Sequence, residues 1–210
     1  MKILPISRRS FAVISALALL LFAGCADKQT QLPSRANFTA ALNDFLAQRG
    51  HLCLAKYDWP ITVASDAQDA GARQLAVLEK LGLAASKDAG GAAPPAREYT
   101  LTAEGQKYYL HVPIVIRTAT QNVTHPADLC AATLTLDRII GWDPPQTRDG
   151  RTATSLLFTY HIAPAPWART PEVLHAFPVL ARAIEGEGTT QVRIGVHLTR
   201  HGWVVDELSP

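Results

Sequence analysis

Three side chains near the carboxyl terminus have the types needed for acyl-transfer chemistry. A two-residue His201-Gly202 turn would set Arg200 opposite Trp203 and, three rungs on, His197 opposite Asp206, with His197 and Asp206 both on the wetter face. An imidazole held by a carboxylate is the orienting half of a hydrolytic triad, and Ser155, which shares strand parity with Thr159 and His161, is the candidate nucleophile. No G-x-S-x-G elbow surrounds that serine. A surface cross-strand pair explains His197 and Asp206 at a few tenths of a kcal/mol, so a non-catalytic binding role is favoured and a hydrolase is the alternative.

His197 and His201 have the spacing of two zinc ligands on one helical face, but the alternation before them argues strand and turn. There is no H-E-x-x-H, and His51, His111, His125, His161 and His175 are scattered, so no metal and no cofactor are expected.

The elements that must position these residues change period halfway along the chain. Up to Gly105 the pattern is helical: Asn37 as cap of a helix with Phe38, Leu42, Phe45 and Leu46 on one face, then Ser65 or Asp66 as cap of a second ending at Gly82. Leu52 to Leu54 is a short buried segment, Asp88 to Arg97 a loop, Glu98 to Leu101 a strand, and Thr102 to Gly105 a turn or brief helix. Beyond it, Cys130–Trp142, Arg151–Ala163, Gln191–Thr199 and Trp203–Leu208 read as strands, Tyr108–Arg117 as a further one, and Thr170–Glu185 as a helix. The expected fold is α+β, a small helical portion over 36–107 followed by a curved antiparallel sheet with one packed helix over 108–210. Trp142, Trp167, Trp203 and Tyr160 are expected to fill its core.

Phe11 to Gly24 is apolar, shorter than the ~20 residues that cross a bilayer, and preceded by Lys2, Arg8 and Arg9. That is the layout of a signal peptide over 1–24. Its end, Leu21-Phe22-Ala23-Gly24-Cys25, resembles the bacterial lipobox, with Phe22 in place of the preferred leucine. The resemblance implies that Cys25 is lipidated and becomes the first mature residue, tethered to membrane lipid through 25–35. Ser7-Arg8-Arg9-Ser10-Phe11 resembles the twin-arginine export motif, although Ala12 and Val13 depart from the leucine and lysine that usually follow; the general secretory route stays open beside it. Asp27 stands one place beyond the family's retention position, which favours the outer membrane, facing the periplasm.

The 20 lysines and arginines fall to 17 once Lys2, Arg8 and Arg9 leave with the leader, against 18 acidic residues, about −1 in all. No basic field remains for nucleic acid. With Cys25 committed to lipid, Cys53 and Cys130 can pair in only one way, and an oxidising compartment favours the bridge.

Gln74 to Leu83, a loop, then Tyr99 to Gly105 resembles the recognition helix and wing of winged-helix domains. Arg73 and Lys80 lie among Asp66, Asp69 and Glu79, so the resemblance implies the scaffold without its DNA binding. Across most of the mature chain, Tyr108-Tyr109, Leu129-Cys130, Ile140-Gly141-Trp142, Phe158-Thr159-Tyr160, Pro166-Trp167-Ala168, Phe177-Pro178 and Gly202-Trp203 are similar to a group of uncharacterised proteobacterial envelope lipoproteins. That resemblance implies location and fold and carries no activity; the tether and the lack of a strong catalytic or metal motif lead to the expectation of an envelope protein, glycan or small molecule as partner.

Overall fold

The computed structural model describes residues 28–91, 94–111, 113–118 and 120–206. The expected signal peptide, with Arg8 and Arg9, and the expected lipidation site Cys25 lie outside them, as do the last residues of the strand expected to reach Leu208.

The elements run α1 (Arg35–Arg49), β1 (His51–Cys53), β2 (Ile61–Ala64), α2 (Ala70–Lys80), β3 (Ala84–Asp88), β4 (Ala96–Leu101), α3 (Ala103–Gln106), β5 (Tyr109–Leu110), β6 (Ile114–Arg117), β7 (Asn122–His125), β8 (Asp128–Trp142), β9 (Gln146–Arg148), β10 (Arg151–Pro164), a 3-10 turn (Pro166–Arg169), α4 (Pro171–Ala176), α5 (Pro178–Glu185), β11 (Val192–Thr199) and β12 (Gly202–Val205). The fold is α+β, with a curled antiparallel sheet. Among the described residues that sheet has the order β1-β8-β10-β11-β12, with β5 on β8 and β9 on β10.

The described residues divide into two compact units that interleave along the chain: those within 28–45, 139–158 and 192–206 form one, those within 46–138 and 159–191 the other. The portions expected at 36–107 and 108–210 follow the change of residue period, whereas these units follow contact.

In the first unit, Phe38 and Leu42 of α1 are fully buried. Phe38 meets the rings of Trp142 and Trp203 edge-on at 5.1 and 5.0 Å, the arrangement that the aromatic quadrupole favours. Ser34, not Asn37, caps α1: its hydroxyl accepts from the Asn37 backbone N–H at 3.3 Å. The Asn37 amide reaches back to the carbonyls of Gln29 and Leu32. The Trp203 indole donates to the carbonyls of Gln31 and Leu32 at 3.2 Å. The stretch expected as a free tether over 25–35 is therefore pinned to this unit from Gln29 onward.

In the second unit, α2 starts at Ala70 and is capped by Asp69, whose carboxylate accepts from the Ala72 N–H; Ser65 and Asp66 sit in the turn before it. The stretch expected as helix and wing forms α2 and the β3–β4 hairpin, and β2 pairs on the far edge of β4. The single helix expected over Thr170–Glu185 is instead broken into α4 and α5. Pro178 has no N–H to donate and drives Phe177 out of helical geometry, to φ −123° and ψ 74°. Tyr108–Arg117 likewise splits into β5 and β6 ahead of and behind Pro113. Cys53 and Cys130 lie opposite one another on β1 and β8 with the geometry of a disulfide.

Candidate functional site

The first unit carries a cleft of about 430 Å³ on the open face of β9, β10 and β11. Asp149 and Gly150 close the β9–β10 hairpin with φ of 51° and 75°, the positive values that a two-residue turn of the right twist requires. The register that follows sets Arg148 opposite Arg151 and Gln146 opposite Ala153. On the other side of β10, Ala153 faces His197 and Ser155 faces Gly195. Directly opposed residues of an antiparallel pair share a face. Ala153, Ser155 and Gly195 thus make a floor of small side chains, with Gln146, Arg148 and Arg151 rising on one side and Asp206 on the other.

Gly195 leaves the room for this placement of Asp206. A Cβ built on it would stand 2.2 Å from the Asp206 carboxylate, so the acid lies down over the strand only because that position has no side chain. Its Oδ1 then accepts from the His197 ring at 2.9 Å and from Arg151 Nη2 at 2.8 Å. Asp143, at the end of β8, is held by both backbone groups: its N–H donates to the Ser155 carbonyl and its carbonyl accepts from the Thr154 hydroxyl. Its carboxylate accepts from Arg193 at 2.7 Å.

The three residues expected to form a triad are on one face, by a different register. The turn residues are Arg200 and His201, with Thr199 paired to Gly202, so Trp203 faces Leu198 instead of Arg200 and His197 faces Val204 instead of Asp206. Thr199 fixes this closure, donating to the Gly202 carbonyl at 2.8 Å and accepting from the His201 N–H at 3.1 Å. The displacement is two residues, and side chains alternate with period two, so Asp206 keeps its face and meets His197 diagonally. Ser155 lies in the cleft, but among the described residues its hydroxyl has no hydrogen bond and none joins it to His197. Only the His197–Asp206 half of a relay is assembled, and Arg151 shares the same carboxylate oxygen.

Arg148, Arg151, Asp143, Gln146 and Gly195 were not among the site residues expected from the sequence. Two signals pointed to them: the Asp149-Gly150 dipeptide between alternating runs, and a glycine interrupting the alternation of β11.

The second unit holds its polar groups differently. Asp128 is 2% exposed. Its carboxylate accepts from the backbone N–H groups of Ala55 and Lys56 at 3.1 and 2.7 Å. Lys56 Nζ donates to Gln74 Oε1 at 2.7 Å, and the Gln74 amide donates on to the Ala176 carbonyl. Burial pushes the Asp128 carboxyl up, against the pull of those N–H groups, and pushes the Lys56 amine down, against the pull of Asp128 and Asp69. His125, scattered in the sequence, contacts Asp58 at 2.6 Å and stacks on Tyr57 at 4.1 Å. The Asp128 bonds hold the turn after β1 from a buried carboxylate.

Among the described residues no group of three or more His, Cys, Asp or Glu is placed to hold a metal ion. None of the protein-family models, curated proteins or solved structures compared with the chain matches it.

Proposed function

We propose that the chain is a lipid-anchored, periplasm-facing binding module of the bacterial envelope, and that the cleft over β9, β10 and β11 is its ligand site. The observation that carries this is the cleft itself: about 430 Å³, floored by Ala153, Ser155 and Gly195 and walled by charged side chains that do not build the core. That volume lies within the ordinary range for small-ligand sites. The leader ending in Cys25 supports the anchor, with the outer membrane as its resting place, and among the described residues no helix is long and apolar enough to cross a membrane.

Anchor and site are tested separately. Cells fed labelled palmitate should label the wild-type chain and not Cys25→Ala. For the site, the full chain in detergent is heated with low-mass envelope solutes. A ligand that binds only the folded state raises the unfolding temperature. The rise should vanish in Ser155→Trp, whose indole fills the cleft; an equal rise in both proteins, or none in either, refutes the site.

One observation favours a second reading, an envelope hydrolase: the 2.9 Å contact of His197 with Asp206, beside Ser155. A panel of ester, peptide and glycan substrates would test it, turnover surviving in His197→Ala being the outcome that disposes of it.

A further inference from the structure

The charged residues lining the cleft are equal in number, Asp143 and Asp206 against Arg148 and Arg151, but they do not all pair off with one another. Asp206 is matched by Arg151 and the His197 ring, and Asp143 by Arg193. Arg148 is left over: it is exposed, lines the cleft and has no acidic partner among the described residues. It also stands directly opposite Arg151. Like charges on one rung are destabilising, and the Asp149-Gly150 turn does not require a cation at its flank. Among the described residues the Arg148 guanidinium makes no hydrogen bond or ion pair. An anion between Arg148 and the cleft would turn that local cost into an attraction.

The neighbours restrict which anion. Arg148 presents a planar fork that matches a carboxylate bidentately. The Asp143 and Asp206 carboxylates line the same space, so a second negative charge on the ligand meets repulsion while a single one is balanced. The remaining groups are neutral. The Ser155 hydroxyl has no hydrogen bond among the described residues, and the Gln146 amide uses only its nitrogen, towards the Pro144 carbonyl, leaving its oxygen to accept. Such groups suit hydroxyls. The small floor side chains let a flat ring approach the strands.

From this we infer that the cleft binds a hydroxylated monocarboxylate of sugar size, its carboxylate on Arg148 and its hydroxyls on Ser155 and Gln146, an assignment that rests on the cleft being the ligand site.

Three probes of one ring size isolate the charge: glucuronate, glucose and glucose 6-phosphate, titrated calorimetrically into the detergent-solubilised full chain. Glucuronate should bind at least about tenfold tighter than either other probe, and Arg148→Gln should remove about that factor. Arg148 is exposed at a hairpin flank, so its replacement leaves the core untouched. Asp143→Asn should narrow the gap between glucuronate and glucose 6-phosphate. Equal binding of glucose, tighter binding of the phosphate, or an unchanged Arg148→Gln overturns the assignment. If glucuronate fails to bind while envelope solutes still stabilise the chain in a manner lost in Ser155→Trp, the monocarboxylate is wrong and the site stands. If both fail, both fall.

Discussion

The cleft of the first unit and the turn after β1 in the second handle charge in opposite ways. In the first, ions sit at the surface around a hollow: the side chains of Arg151 and Asp206 are 56% and 43% exposed, and those of Arg193 and Asp143 57% and 58%. In the second, one carboxylate is taken almost wholly out of water and satisfied by two backbone N–H groups. Exposed pairs contribute little to stability because water screens them and long side chains lose freedom. A buried carboxylate is different in kind, since removing its partners would leave an uncompensated charge. The comparison teaches where to look for function. Charges that cost the fold little and lie around a cavity are available for a ligand, whereas Asp128 is committed to holding the Ala55–Lys56 turn.

Substitutions can break that contrast, the largest effect first. Phe38→Ala removes a fully buried ring from between Trp142 and Trp203 and should cost about 3–5 kcal/mol in chemical denaturation, far more than any ion pair of the same unit. In the second unit, replacing Cys53 and Cys130 together by serine should cost up to about 4 kcal/mol, because the link spans 77 residues of sequence. Intact mass spectrometry without reductant checks the premise, and two free thiols at Cys53 and Cys130 would contradict it.

The buried carboxylate should reveal itself through pH. Asp128 is raised in the folded state, so between about 3.9, the unperturbed aspartate value, and its folded value the folded chain holds the extra proton. Its contribution to stability is therefore full below the unperturbed value and lost as pH rises through the folded one. Asp128→Asn should flatten that part of the stability curve. Lys56 acts at the other end: its folded value is lowered, the unfolded chain holds the extra proton, and stability should rise with pH up to the ordinary lysine value. The smallest effect is expected at the cleft, where Arg151→Ala should change stability by less than about 1 kcal/mol. A larger loss would make the cleft ions structural and remove the contrast.

Much of the fold could be read from the chain because the signals were local. The period of Phe38, Leu42, Phe45 and Leu46 placed a buried helical face, and the alternation from Val192 to Leu198 placed a strand. Two errors were also local and avoidable: Pro178 announces a break in the helix expected over Thr170–Glu185, and Ser34 is as good a cap as Asn37. The register of the last hairpin was harder. Which two residues form the turn depends on the hydrogen bonds of Thr199, and nothing in the order Arg200-His201-Gly202 selects them over their neighbours. The cleft was illegible for a related reason. Asp143, Arg148, Ser155, Gly195 and Asp206 come from five places in the sequence, and only strand pairing makes them neighbours.

What the sequence determined by itself was composition and period: a charged, apolar stretch before Cys25, two cysteines able to pair, the helical face around Phe38 and the alternation around Val196. These depend on residues near one another in the chain. The tertiary structure alone decided that Asp206 lies over Gly195, that Arg148 lines the cleft without an acidic partner among the described residues, and that Asp128 is buried. Those outcomes come from pairing and burial between distant segments, where the energy depends on what each side chain meets and not on its own type.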